Sequence, residues 1–315
     1  MKNEIFDSMV LGGGPAGLSA ALYCARGGLK TGIVDISAFG GAPVNYCEIE
    51  NYLGFSKIKG YELCEKFENH IDDFKIQKFP YEEISSVDLI SDIKSIKTIN
   101  KKYWTKTVII ATGAKPKHLG IKGEAENIGT GVSYCAVCDG SFYKGKIAAV
   151  IGGGNSALEE AMYLTNHCKK VYIVHRRDTF RADEIIQKKA RDNKKIEFVL
   201  DSVPVEILSN ERVYALKIKN TKTNDTNVIY ADGIFPYVGL TPNSEMFRTQ
   251  LQLDKNGFII TDNEMKTSQQ GVYAIGDVRN TPLRQVITAV ADGAVAGVQA
   301  ANYLLKIPQK QAQYS

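Results

Sequence analysis

An α/β fold built as two domains, the first interrupted by the second, is what this sequence predicts. Three observations carry it. A strand, a glycine turn, a helix and a strand follow one another near the amino terminus, and the same succession returns from Lys146. A carboxy-terminal helix then holds too few large apolar residues to anchor a domain alone. With 315 residues, and roughly 100 to 200 per domain, about two domains are expected.

In the first unit Ile5 to Leu11 reads as strand, Ala16 to Gly27 as helix and Lys30 to Asp35 as strand. Tyr103 to Thr112, which includes Ala111, is a further strand, and it ends in the turn Thr112-Gly113-Ala114-Lys115-Pro116. The second unit has Ile147 to Ile151 as strand, Ser156 to His167 as helix and Lys170 to Val174 as strand. Val238 to Asn243, with Gly239 and Pro242, marks the way out. Beyond it stand the strand Gly271 to Asp277 and an Ala/Gly-rich helix from about Gln285 to Leu305. Because that helix needs a close partner, residues 1–114 and 244–315 are expected to form one domain, with residues 115–243 inserted as the other.

Composition narrows the function classes. The net charge of +4 is spread over the chain with no basic stripe, which argues against a nucleic-acid partner. Apolar runs such as Ile147 to Ile151 fall far short of the ~20 residues of a membrane span. The start, Met1-Lys2-Asn3-Glu4-Ile5, shows no apolar leader, so a cytoplasmic location is expected. Six cysteines in a chain this long are not a disulfide scaffold, and four of them read as inert small hydrophobes.

Two glycine fingerprints carry the chemistry. Gly12-Gly13-Gly14-Pro15-Ala16-Gly17 fits G-x-G-x-x-G between strand and helix. There glycines permit a tight turn, close approach of backbone to a pyrophosphate and close helix packing. Asp35, 23 positions after Gly12, is placed for a carboxylate that accepts a ribose hydroxyl. The second fingerprint, Gly152-Gly153-Gly154-Asn155-Ser156-Ala157, is the G-x-G-x-x-A variant, and 23 positions after Gly152 stands His175 instead of an acid, followed by Arg176, Arg177 and Arg181. Guanidinium groups bind a 2′-phosphate that a carboxylate would repel. The economical pairing is FAD at the first site and NADPH at the second, since hydride must pass from a nicotinamide to a carrier that serves thiols.

Cys135-Ala136-Val137-Cys138 lies just before the second unit. Thiols at this spacing can close a small disulfide ring, and one thiol tends towards the thiolate. The spacing also permits half a zinc site, but zinc needs about four ligands and no second Cys-x-x-Cys or His-x-x-x-His occurs, so no metal is expected. Asp139 follows directly as a candidate acid for proton exchange with the dithiol, or as a helix-capping residue. Only four histidines exist, at 70, 118, 167 and 175, and none is in the last third of the chain to act from a distance.

Taken together, Gly12 to Gly17, Cys135 to Gly140, Gly152 to Ala157, His175 to Arg181, Gly276-Asp277 and Arg284-Gln285 closely resemble the low-molecular-weight bacterial-type thioredoxin reductases, over essentially the whole chain. The resemblance implies two Rossmann-like domains, an FAD domain split around an NADPH domain, and a homodimer. It also implies the reaction: hydride from NADPH to FAD, then opening of a Cys135–Cys138 disulfide, with Cys138 nearer the flavin, then exchange with thioredoxin. Asp277 would bind the ribityl chain, and the backbone of Arg284, Gln285 and Val286 would lie by the isoalloxazine. Gly41, Ala42, Asn51, Ala111, Thr112, Gly113 and Gly276 would complete the FAD site. The family rotates one domain against the other, with hinges that here fall near 113–117 and 241–245.

Two departures stand out. Gly40-Gly41-Ala42-Pro43-Val44-Asn45-Tyr46-Cys47 replaces the usual Gly-Gly-Gln and small hydroxyl residues, removing an amide that would bond the flavin. Glu50-Asn51-Tyr52-Leu53-Gly54 keeps the Asn but has Leu for the usual Pro. Rival readings keep the fold and change the partner. They are a ferredoxin-linked reductase and a flavin-dependent dithiol oxidase, both disfavoured by the intact second fingerprint and its arginines.

Overall fold

The computed structural model describes residues 4–45 and 49–306, apart from the side chain of Cys138. The chain divides into two compact units, one of residues up to 115 with those from 241, the other of residues 116–240.

The larger unit is organised by strand Ile5–Leu11, whose last four residues are all buried. It lies between parallel strands Thr31–Val34 and Lys102–Ile110. Burial on both faces explains why it reads as an apolar run and not an alternating one. Alternate side chains serve different layers. Val10, Ile33 and Ile109 pack towards helix Pro15–Arg26, while Met9, Leu11, Val34, Val108 and Ile110 pack on the opposite face with Phe247 and Ile259. Strand Lys102–Ile110 forks on its other edge: Lys102–Thr105 carries antiparallel Lys94–Thr98, and Val108–Ile110 carries parallel Val272–Ala274.

The carboxy-terminal helix, Val286–Lys306, lies against Pro15–Arg26. Glycine makes the contact possible. A Cβ at Gly293 would stand 2.3 Å from the Ala16 carbonyl oxygen, and one at Gly297 would stand 2.6 Å from Tyr23 Cβ. The helix therefore contributes backbone proximity where it lacks bulk.

The smaller unit has a parallel four-stranded sheet, in the order Ile196–Val199, Lys170–Val174, Ile147–Gly152 and Gly233–Tyr237. Helix Asn155–Leu164 packs on one face through Ala157, Leu158, Ala161 and Leu164. An antiparallel meander of Ser202–Ser209, Val213–Asn220 and Thr226–Tyr230 supplies Ile207, Leu216, Ile218 and Ile229 to the core on the other face. The chain segments Ala114–Pro116 and Leu240–Pro242, where the units join in sequence, pair as a two-stranded ribbon. No described helix is long and apolar enough to cross a membrane.

Candidate active site

The first fingerprint folds as a turn in which each glycine meets a different requirement. Gly12 has φ 111°, and a Cβ there would lie 2.3 Å from the Ala111 carbonyl oxygen. Gly17 packs so tightly that a Cβ would come within 1.8 Å of the Gly12 carbonyl oxygen. Gly14, the N-cap residue of helix Pro15–Arg26, instead is open: among the described residues a Cβ there would meet only Gly41 Cα, at 3.7 Å. A backbone that closes on itself at the first and last glycine and opens outward at the middle one, at a helix N-terminus, fits a bound pyrophosphate.

Three other segments, those of Asp35, Gly41 and Gly276, converge on this turn. Asp35 Oδ2 accepts the Gly13 N–H at 2.6 Å, and Oδ1 accepts the Ser37 N–H and hydroxyl at 2.8 and 2.9 Å. One lone pair on Oδ2 is thereby left for a further donor. Gly41, at φ 66°, abuts Gly14. Gly276, also at φ 66°, lies against Ala16, and its N–H donates to Asp292 Oδ2 at 3.0 Å. Asn51 Nδ2 donates to Gln285 Oε1 at 3.0 Å. Burial raises the Asp277 carboxyl against the opposing pull of Arg284.

Other expected residues have different neighbours. Thr112 donates its hydroxyl to the Asn243 carbonyl at 2.8 Å, and Asn243 N–H reaches the Gly113 carbonyl at 3.0 Å, so these two residues are tied to the crossing. The Arg284 guanidinium lies 4.2 Å from the centre of the Phe258 ring. Ala42 opens a short 3-10 helix, Ala42–Asn45; Tyr46 and Cys47 lie outside the described residues. Leu53 is 90% exposed.

The second fingerprint repeats the division of labour. A Cβ at Gly152 would meet the Tyr237 carbonyl oxygen at 2.4 Å, whereas one at Gly154 would meet nothing within 4 Å among the described residues. The middle residue, Gly153, is covered by the His175 ring, 2.2 Å from where a Cβ would stand. His175 accordingly does not present a cation: it is 7% exposed, stacks on Phe180 and shares a hydrogen bond with the Thr179 carbonyl at 3.1 Å. Burial holds it below the usual histidine range, and Arg176, Arg177 and Arg181 act the same way. Those three arginines are exposed, and none makes an ion pair or side-chain hydrogen bond among the described residues. Arg181 is anchored by its N–H, which donates to the Gly153 carbonyl at 2.8 Å. Asn155 and Asp183 pair reciprocally at 2.7 and 2.8 Å, while Ser156 is exposed.

Cys135 is disulfide-bonded and opens the short helix Ala136–Asp139; the side chain of its motif partner, Cys138, lies outside the described residues. Ser133 Oγ accepts the Cys135 N–H at 3.1 Å, and the Asp139 N–H closes the turn on the Cys135 carbonyl at 3.1 Å. Cys24, Cys64 and Cys168 are buried free thiols that burial pushes up to about 12, 11 and 11. They are inert at neutral pH. Among the described residues no group of three or more His, Cys, Asp or Glu is placed to hold a metal ion.

Sequence reasoning missed several supporting residues. The bidentate Arg279–Asp292 pair, at 2.7 and 3.0 Å, braces the Gly276 turn. Tyr134 donates its hydroxyl to Glu124 Oε1 at 2.7 Å and meets His118 Nδ1 at 2.6 Å, immediately before Cys135. Tyr237 accepts the Ala136 N–H at 3.0 Å. Its signal was available: it ends a strand of a parallel sheet, at the carboxyl edge where such sheets place their sites.

A disulfide in one unit with a dinucleotide-type turn, and a second such turn elsewhere in the chain, define a nucleotide-linked disulfide oxidoreductase. The pyridine nucleotide-disulphide oxidoreductase family matches residues 6–293. A thioredoxin reductase from Peptoclostridium acidaminophilum is 43% identical, over 96% of this chain and 98% of its own length. The crystal structure of Lactococcus lactis thioredoxin reductase is 42% identical with a TM-score of 0.93, covering 96% of this chain and 100% of that one. A ferredoxin-flavin thioredoxin reductase from Clostridium acetobutylicum is more distant, at 32% identity and a TM-score of 0.52, covering 96% and 99%. The chain belongs to the thioredoxin reductase family of pyridine nucleotide-disulphide oxidoreductases. Membership implies a flavin and a nicotinamide nucleotide as cofactors.

Proposed function

We propose that the protein is an NADPH-dependent thioredoxin-disulfide reductase, with FAD at the Gly12 turn and NADPH at the Gly152 turn. The observation that carries this reading is the contrast between two turns of the same build. Both open outward at one glycine, Gly14 or Gly154, but one is flanked by the Asp35 carboxylate and the other by three guanidinium groups that have no ion-pair partner among the described residues. Asp35 suits a ribose hydroxyl, and Arg176, Arg177 and Arg181 suit a 2′-phosphate. The bound nucleotides would supply the hydride and electron-transfer chemistry.

The chain's own residues do the rest. Gly41, Ala42, Asn51, Ala111, Thr112, Gly113, Gly276, Asp277 and the 284–286 backbone would orient the flavin, with Pro15, Ala16 and Gly17 holding the helix that faces its pyrophosphate. Gly152, Asn155, Ser156, Ala157 and His175 would shape the NADPH site. Cys135 and Cys138 would form the redox pair, with Cys138 nearer the flavin and Asp139 exchanging protons with the thiols. The inserted domain would be residues 115–243, turning on its two crossings, and the enzyme would act on thioredoxin in the cytoplasm as a homodimer.

The test is Cys138→Ser. NADPH should still bleach the flavin of this variant, while turnover with thioredoxin should stop. Retained turnover removes the dithiol from the mechanism. A wild-type flavin that ferredoxin reduces and NADPH does not would favour the ferredoxin-linked reading.

A further inference from the structure

Helix Asn155–Leu164, which begins at the second fingerprint, carries the half-buried carboxyl of Glu160. Glu160 accepts a hydrogen bond from the Tyr237 hydroxyl, and its Oε2 is sealed from solvent with no partner among the described residues. The same Tyr237 oxygen accepts the Ala136 N–H at 3.0 Å. Ala136 is the residue after Cys135, and it starts the short helix that holds the cysteine motif. A continuous chain thus runs from carboxyl to phenol to the backbone of the redox turn, all within the smaller unit.

We propose that Glu160, acting through the Tyr237 hydroxyl, is a positioning residue that holds the Cys135–Asp139 turn and sets the ionisation of its thiols. This rests on Cys135 and Cys138 being the redox pair. A helix N-terminal N–H ordinarily favours an adjacent thiolate. Here the Ala136 N–H is already committed to Tyr237. When Glu160 is ionised, Tyr237 keeps its proton directed at the carboxylate, its oxygen becomes a better acceptor, and a negative charge stands behind the turn. Both effects disfavour a thiolate. When Glu160 is protonated, both relax.

Glu160 is poised to change state near neutral pH. Burial pushes it up to about 7, the Glu159 carboxylate on the same helix adds to this, and the Tyr237 hydrogen bond opposes it. Helix Glu184–Asp192, which packs on this helix, brings Glu184, Lys188, Lys189, Arg191 and Asp192 as further charged groups. Asp183 and Lys189 act on Glu159, and Lys170 pairs with Glu197. Asp139 stands on the cysteine helix, which packs against helix Asn155–Leu164, and Asp232, just before strand Gly233–Tyr237, accepts the Ile147 N–H at 2.9 Å.

The test uses FAD-loaded enzyme reduced by a phosphine, so that no step depends on NADPH. The alkylation rate of the exposed thiols is followed with iodoacetamide from about pH 5 to 9. Wild-type enzyme should give a two-step profile, because two coupled groups titrate. Glu160→Gln keeps an acceptor for Tyr237 and should give a single step at lower pH, with alkylation near pH 8 about 3- to 10-fold faster. A profile that superimposes on wild type overturns the proposal, since a merely structural residue would alter stability and leave the profile in place. Tyr237→Phe should move the lower step upward. In wild-type enzyme an infrared difference spectrum between disulfide and dithiol states should show a protonated-carboxyl band near neutral pH that Glu160→Gln removes, and absence of the band counts equally against the idea. If the phosphine exposes no new pair of thiols, the redox-pair reading itself fails; if thiols appear and the profile is unchanged, only the role of Glu160 falls.

Discussion

Replacing Arg176 and Arg177 together by alanine separates 2′-phosphate recognition from everything else at the second site. A guanidinium–phosphate hydrogen bond is worth about 1.5 to 3 kcal/mol when shielded. Both side chains are exposed, so solvent and salt reduce the net contribution to ~1 kcal/mol each. The pair then amounts to ~2 kcal/mol, or about 30-fold in kcat/KM for NADPH. Arg181, tied by its N–H to the Gly153 carbonyl, remains as a residual contact. NADH lacks the phosphate and should lose less than about threefold. The measurement is anaerobic stopped-flow bleaching of the flavin by each nucleotide at low and high ionic strength. Salt should erode the NADPH preference of wild type and leave the variant nearly unaffected. An equal loss with NADH would falsify the assignment, because the arginines would then be supporting the turn and not reading the phosphate.

Two glycine substitutions should behave oppositely. Gly14→Ala places a methyl in open space at φ −75°, so flavin-free protein should keep its stability within about 1 kcal/mol while FAD binds more weakly. Gly17→Ala drives a methyl to 1.8 Å from the Gly12 carbonyl oxygen and should destabilise the fold by ~3 kcal/mol or more, read by thermal unfolding. Similar melting of the two variants would contradict the division of labour within the turn. Glu160 offers a pH test of stability. Its carboxyl titrates at about 7 in the folded protein against 4.5 when unfolded, so its stabilising contribution is complete below about pH 4.5 and is lost as pH rises through 7. Between about pH 5 and 8, Glu160→Gln should gain ~3 kcal/mol on wild type in urea unfolding, and parallel curves would contradict the buried-acid assignment.

Much of this protein is legible in contiguous residues. Gly12 to Gly17 and Gly152 to Ala157 announce their turns because close approach and positive φ are demands that glycine alone meets, at fixed offsets between a strand and a helix. The contrast of Asp35 with Arg176 and Arg177 is equally local, since each lies at the end of the strand that follows. The poverty of large residues in the carboxy-terminal helix likewise pointed to close packing on the first domain, where helix Pro15–Arg26 receives it. Tertiary structure decided what depends on residues far apart in the chain. The antiparallel meander of residues 202–230 has no signature that sets it apart from other exposed strands, and its place is set by the apolar face it covers. His175 stands in sequence where an acid would end the strand, and it proves to be a buried lid over Gly153, because the ring packs between that glycine and Phe180. Tyr237 reaches the redox turn only because the parallel register sets it beside Gly152, and Glu160 only because helix Asn155–Leu164 packs one face on that sheet. Local demands on backbone conformation are written residue by residue. Contacts between distant groups exist only once sheet register and helix packing have brought them together.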